Sequence, residues 1–419
     1  MRWFYSCPGC GKTYAIEPGR YLCDDCAGRA MPGQPLEGVL ECLWATDTDD
    51  TADTDMRAAK EGRLIPLPVE QRFFPPLPVG NTPLWAPGRL RKELDAPGLF
   101  LKDDTCNPSG SFKDRASWLV GAFALRHGIK EIALASTGNA ASSMACVGAA
   151  AGIRVKVFVP ASAPAAKRIQ VLQYGGELVE VRGTYDKAFD DSLAYSEATG
   201  VLSRNTAYNP LTIEGKKTAA FEIAKDLASS VNAGQTLSDF GSASFCYGRS
   251  AGVGPGFLAP DHVFVPVGDG VILSGLIKGF EDMMRLGLVR TMPVFWACQA
   301  EGSSAIARAL DSGEFIALPS ETLADSISVD MPRAGSFTLR KLKKHGGKAV
   351  TVDDSRIAAA QRRLASGSGL FVEPSSACAF ACYLKVKEKF GRAERVVIML
   401  TGSGLKDIKN AAAAVGAAL

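Results

Sequence analysis

From residue 98 onward, short apolar runs alternate with segments long enough for helices. IALA precedes ASSMACVGAAAG, VKVFVP precedes APAAKRIQVLQYG, and ELVEVR precedes TYDKAFDDSLAYSEATG; further on, VFVPVG precedes GVILSGLIKGFEDMMRLG and VVIMLTG precedes the last helix. Runs this short and this apolar read as strands buried on both faces, and strands separated by helices need crossover connections. The pattern predicts an α/β fold of doubly wound, mostly parallel sheets, in which ligands sit at the carboxyl ends of the strands. The uncharged stretch between Glu131 and Arg154 has the length of a membrane span, but its Ser, Thr, Asn and Gly content favours a strand, a loop and a helix.

Two stretches precede this rhythm and one breaks it. CPGCGKTYAIEPGRYLCDDC places Cys7, Cys10, Cys23 and Cys26 as two CxxC knuckles joined by a spacer of hairpin length. Each knuckle can present two thiolates to one tetrahedral ion, so a structural Zn²⁺ ribbon is expected; four thiolates leave no open position for a reacting water. A metal-free ribbon and a redox pair are the alternatives, and no strand-helix unit supports the second. The Thr/Asp run ATDTDDTADTD and the proline-rich segment after it read as a solvated connection and an extended arm. Residues 229–260, rich in Gly and Ser without a helical period, read as a loop insertion serving as a lid or an oligomer contact.

Composition narrows the partners. With 47% apolar and 22% charged residues, the 419-residue chain can bury sizeable cores. Its 47 basic and 44 acidic residues leave a formal charge of +3, so no field for nucleic acid or an anionic membrane is expected. The ribbon's few basic residues, Lys12, Arg20 and Arg29, stand beside Asp24 and Asp25 and do not change that. Eleven mostly isolated cysteines suit reduced thiols, and the N-terminus lacks a secretory pattern, so a cytoplasmic protein is expected.

The most informative stretch is NPSGSFKDRAS, residues 107–117, in which Asn107, Pro108, Ser109 and Gly110 make a turn delivering Lys113 to the start of a helix. Taken alone, it fits a helix-capping turn equally well. VFVPVGDGVILSG runs from a strand through a glycine turn into a helix, where bare backbone amides at a positive dipole end suit a phosphate dianion. The GxGxxG dinucleotide fingerprint is absent, and none of His127, His262 and His345 stands in a triad pattern.

As written, NPSGSFKDRAS closely resembles the pyridoxal-phosphate lysine motif of the threonine synthase family, within the tryptophan-synthase-like group of fold type II. The resemblance continues in order through ASTGNAASS, VFVPVGDGVILSG, FVEPSSACAFA and TGSGLKD. It implies that Lys113 carries pyridoxal 5'-phosphate and serves as acid and base once released. Asn139 would face the ring oxygen, while Ser136, Thr137, Gly138 and Asn139 receive the substrate carboxylate. Gly268, Gly270, Val271, Ile272 and Leu273 would hold the cofactor phosphate, although Asp269 departs from the family's asparagine and must point away. Thr401 would contact the pyridine nitrogen. Lys102, Asn205 and Lys217 match positions near a substrate phosphate, and Glu373 and Pro374 match an architectural hallmark.

The implied organisation is a ribbon-like segment at 1–30, an arm at 31–80, a larger cofactor-binding unit at 81–134 and 206–419, and a smaller substrate-side unit at 135–205. The implied partner is a small amino-acid phosphate ester, and the implied assembly a homodimer. The reaction would be γ-elimination of phosphate from O-phospho-L-homoserine and β-addition of water, giving L-threonine. Ala140, where many threonine synthases carry a threonine, keeps other readings open. These are a cysteate-synthase-type β-replacement on O-phospho-L-serine, or a threonine or diaminopropionate ammonia-lyase. A non-catalytic regulator is disfavoured by the intact Lys113, Asn139 and Thr401.

Overall fold

The apolar runs form two parallel sheets in the computed structural model, which describes residues 1–31, 33–45, 54–161, 165–232 and 256–415. The strands are β1 (Arg2–Ser6), β2 (Thr13–Tyr14), β3 (Glu41–Ala45), β4 (Leu84–Trp85), β5 (Leu99–Asp103), β6 (Glu131–Ala135) and β7 (Arg154–Pro160). They continue as β8 (Glu177–Val181), β9 (Leu202–Ser203), β10 (His262–Pro266), β11 (Val294–Ala300), β12 (Lys348–Val352) and β13 (Val396–Leu400). The larger sheet has the order β12-β11-β10-β13-β5-β4, with only β4 antiparallel, and the smaller has the order β8-β7-β6-β9, all parallel.

Period-two alternation explains why both faces of the larger sheet are covered. Val263 and Val265, Phe295 and Ala297, Val397 and Met399 enter one core with the helices Thr218–Asn232 and Val271–Arg285. Their neighbours Phe264, Trp296, Val396 and Ile398 enter another with the helix Pro374–Val386. Likewise Ile132 and Leu134 pack under the helices Lys113–Arg126 and Asn139–Ala151, while Ala133 and Ala135 pack under Tyr185–Thr199. Buried on both faces, these strands carry no polar side to mark their register.

The observed units differ from the expected division at two places. β6 pairs with β7 and β9, so residues 131–134 belong to the smaller sheet rather than the larger unit. The ribbon does not end at residue 30, because β3 pairs with β1 to complete the three-stranded sheet β2-β1-β3. Trp44 on β3 is 2% exposed, which ties this part of the arm into the larger core. The motif VVIMLTG leads into a 3₁₀ turn, Gly404–Lys406, before the short helix Ile408–Ala414. Residues 233–255 of the loop insertion and 46–53 of the Thr/Asp run lie outside the described residues. Among the described residues no helix is long and apolar enough to cross a membrane.

A buried ionic cluster fastens the lysine turn. Arg115, fully buried two residues after Lys113, donates to Asp104 (2.5 and 2.9 Å) and to Glu222 (2.6 and 2.7 Å), and Lys102 lies 2.9 Å from Glu222. Burial raises the affinity of Glu222 for a proton, but Arg115 and Lys102 more than offset it and hold the group well below the usual carboxylate range. Arg115→Met should cost about 3–5 kcal/mol in urea unfolding, because it strands two buried carboxylates. A cost under about 1 kcal/mol would show that water reaches the cluster.

Candidate active site

Lys113 opens its helix as the turn motif predicts. Ser109 presents its amide (2.7 Å) and hydroxyl (2.5 Å) to buried Asp114, and Asn107 Oδ1 accepts the Gly80 amide at 2.9 Å. The Phe112 amide donates to the Thr401 carbonyl at 2.9 Å, tying the turn to the end of β13. Lys113 thereby enters a cleft lined also by Asn139, Thr206, Gly268, Asp269, Gly270, Val271, Ile272, Ser326, Glu373, Ser375 and Thr401. Burial pushes its ammonium below the usual lysine range; Asp269 and Glu373 oppose the shift and Arg204 adds to it.

The opposite wall is the turn between β10 and the Val271 helix. Gly270 has φ +87°, and a side chain there would run into Thr338; a Cβ on Gly268 would meet Ile327 at 3.1 Å. Asp269 turns its carboxylate to the Arg333 amide at 3.0 Å. At the end of β13, Ser376 Oγ accepts the amides of Thr401 (2.9 Å) and Gly402 (3.0 Å) and lies 3.1 Å from Thr401 Oγ1. The Ser376 proton has two acceptors within reach, Thr401 Oγ1 at 3.1 Å and the Gly402 carbonyl at 3.4 Å.

Several expected residues lie elsewhere. Leu273 is buried in the larger core and does not line the cleft. Lys102 is fully buried, donating to the Thr82 carbonyl at 2.6 Å and paired with Glu222 and Asp226, so its charge is spent in the ionic cluster. Lys217 is locked between Glu214 and Asp282, with Trp3 and Trp44 over its ammonium. Asn205 uses both ends of its amide, accepting from the Ala135 amide at 2.7 Å and donating to Ser192 at 2.7 Å. Ser136, Thr137 and Gly138 form the turn into the Asn139 helix, where the Ser136 hydroxyl accepts the Gly138 amide.

Other groups at the cleft were not found from the sequence. Glu373, read as architectural, accepts from Asn139 Nδ2 at 3.0 and 3.3 Å and packs so closely on Gly402 that a Cβ there would come within 2.5 Å of its carboxylate. Ser375 Oγ is buried without a hydrogen-bond partner. Arg204 and Lys216 approach from β9 and the turn after Leu211–Glu214; both are fully buried, and the two influence one another electrostatically. The double lysine was the available signal, but sequence alone does not say which of two neighbouring lysines points inward.

The four ribbon cysteines bring their sulfurs within 4.8 Å of one another. Cys7, Cys23 and Cys26 are buried and Tyr14 donates to the Cys23 sulfur at 3.2 Å, an outer hydrogen bond of the kind that orients a metal ligand. A tetrahedral ion fits this donor set.

The cleft fits pyridoxal phosphate by its own features: a glycine cradle at a helix N-terminus, an unpartnered buried hydroxyl at Ser375, and the Thr401 hydroxyl at the end of β13. Gly270→Ala should weaken cofactor binding at least about tenfold, since alanine is strained at this φ and collides with Thr338. Titration of cofactor-stripped protein, followed by its visible absorbance, checks this; unchanged affinity would remove the glycine turn from the phosphate site.

A family model for pyridoxal-phosphate dependent enzymes matches residues 76–402. The chain is 31% identical to threonine synthase of Methanosarcina acetivorans, over 96% of this chain and 91% of that protein. It is 34% identical to threonine synthase of Halalkalibacterium halodurans, over 81% and 87% respectively. Among solved structures, maize serine racemase superposes with a TM-score of 0.63 at 21% identity, covering 78% of this chain and 88% of that one. The processed form of threonine deaminase isoform 2 from Solanum lycopersicum also gives 0.63 at 21%, covering 81% and 90%, so the fold-type-II architecture is shared. On the length of these matches and the coincidence of Lys113, the glycine turn and Thr401 in one cleft, the chain belongs to the pyridoxal-phosphate dependent enzymes, in the company of the threonine synthases.

Proposed function

We propose that the protein is a cytoplasmic, homodimeric lyase that converts O-phospho-L-homoserine and water to L-threonine and phosphate by γ-elimination and β-addition. The observation that carries this reading is the convergence of Lys113, Asn139, the Gly268–Gly270 turn and Thr401 on one cleft, in a chain whose relatives are threonine synthases. When bound, the cofactor supplies an electron sink for charge developing at the substrate's α-carbon. Lys113 holds the cofactor and, once released, takes and returns protons at Cα and Cβ; burial lowers its ammonium, which favours the free amine that acts as base. Asn139 faces the ring oxygen and is oriented by Glu373. The turn at Ser136, Thr137 and Gly138 offers backbone amides to the substrate carboxylate. Thr401 gives a neutral hydroxyl rather than a carboxylate to the ring nitrogen, which limits the sink and restrains transamination.

A second reading, β-replacement on O-phospho-L-serine, is favoured by one observation. The buried Ala140 has no hydroxyl, and Lys102 and Lys217 are spent elsewhere, so the phosphate anchors differ from the family pattern. Purified enzyme given O-phospho-L-homoserine, or O-phospho-L-serine with sulfite, should release phosphate from the first and form threonine, with Lys113→Ala inactive. Phosphate and cysteate from the second alone would replace the first reading with the second. Release from neither would end both.

We also propose that Cys7, Cys10, Cys23 and Cys26 hold one structural Zn²⁺. Metal analysis of protein purified without chelator should return about one zinc per chain, and replacing Cys23 by Ser should abolish it. Zinc-free protein with an unchanged melting temperature would count against a structural ion.

A further inference from the structure

Most buried cations of this chain face carboxylates. Lys102 faces Glu222, Arg115 faces Asp104 and Glu222, and Lys217 and Lys278 share Asp282. Arg204 and Lys216, fully buried, form no ion pair among the described residues. Arg204 Nε donates to Ser117 Oγ at 3.2 Å and Nη1 to Thr206 Oγ1 at 2.9 Å, while Nη2 is buried with no partner. Lys216 Nζ donates to the Thr212 carbonyl at 2.5 Å. Lys216 is held in place by close packing, since a Cβ on Gly275 would lie 2.6 Å from its own Cβ.

Burial outweighs Tyr185 and Asp114, which favour the charged form of Arg204 only without direct pairing; a buried guanidinium so placed, with a second basic group beside it, is strongly disfavoured. Such a pair persists where an anion is to be received. Its place is behind the cleft wall: Thr206, bonded to Arg204, lines the cleft, and the charges of Lys113 and Asp269 act on Lys216. Two other anions of the reaction already have positions. The cofactor phosphate takes the Gly268–Gly270 turn, and the substrate carboxylate takes the start of the Asn139 helix. The substrate's phosphate remains.

We propose that Arg204 and Lys216 form the pocket for the phosphate ester of the amino-acid substrate, a proposal that rests on the phosphate-ester reading of function given above. The planar arginine fork, with an uncommitted Nη2, suits a tetrahedral oxyanion, and the lysine adds a point charge from the adjoining turn. Burial drives the Lys216 ammonium well below its usual range; Arg204 and Lys113 add to this and Asp269 opposes it. These groups and the Thr212 carbonyl are what face it, from β9, the lysine helix, the glycine turn and its own turn. A dianion arriving beside Lys216 favours its charged form.

The test uses holoenzyme, so that the cofactor occupies the glycine turn, and inorganic phosphate as the probe. Calorimetry should show phosphate binding. Arg204→Met and Lys216→Gln should each weaken it at least about tenfold and raise KM for the phosphate ester similarly, with the visible cofactor band retained. Should Arg204→Met misfold, Arg204→Lys and Lys216→Gln carry the test. Phosphate affinity and KM unchanged in the folded variants would overturn the pocket. Binding through Arg204 by an enzyme that turns over no phosphorylated amino acid would keep the anion pocket and overturn its assignment to substrate.

Discussion

The bonds that Arg115 makes to Asp104 and Glu222 are what the geometry of the site depends on. They join three elements distant in sequence: the end of β5, the start of the lysine helix and the Thr218 helix. A helix carrying a reactive lysine in its first residue has few intrahelical bonds to hold that residue, since its first amides lack partners within the helix. Here the fastening comes from outside. Arg115 anchors one side of the first turn, and Ser109 with Asp114 closes the other. Their directional bonds fix both rotation and translation of the turn, which apolar packing alone does not.

Charge in this interior is sorted by purpose. Where a lysine or arginine fastens elements, carboxylates meet it: Asp104, Glu222 and Asp226 behind the lysine turn, Glu214 and Asp282 beneath the Trp44 ring. Behind the cleft, Arg204 and Lys216 go without such partners among the described residues, and Asp269 is drawn off towards the Arg333 amide. Neighbouring positions can fall on opposite sides of this division. Lys217 is a structural ion and Lys216, one residue earlier, is not, because the short 3₁₀ turn there points successive side chains in different directions.

Alternation of apolar runs with helical segments made the parallel sheets legible; Gly268 and Gly270, in the glycine turn at a strand end, and Thr401, implied by the family resemblance, line one cleft. The cysteine spacing also brought four sulfurs together. What local pattern could not supply was tertiary partnership. β3 looks like part of an arm until β1 is there to pair with it, and β6 is assigned by its hydrogen bonds to β7 and β9, which its sequence does not encode separately. Lys102 matched a family position, yet its environment is decided by Glu222 and Asp226, more than a hundred residues away. Glu373 seemed architectural because it opens a helix before a proline, and its carboxylate reaches Asn139 only across the gap between the two sheets.

The ribbon is wedged into the body rather than hung from it. Tyr21 Oη accepts the Ser203 amide at 2.7 Å, the Leu36 amide donates to the Arg333 carbonyl, and Glu41 pairs with Lys341 across 300 positions of sequence. During synthesis the ribbon precedes these partners, Tyr21 by 182 residues and Glu41 by 300. Val39 and the outer face of the Trp3–Trp44 pair therefore wait for their partners in the body, at about 5–20 residues added each second. Loop closures this long make late docking slow. A module that folds early around its own metal would keep those surfaces ordered while they wait, which gives the cysteine cluster a kinetic task during biogenesis, separate from any it has in the finished enzyme.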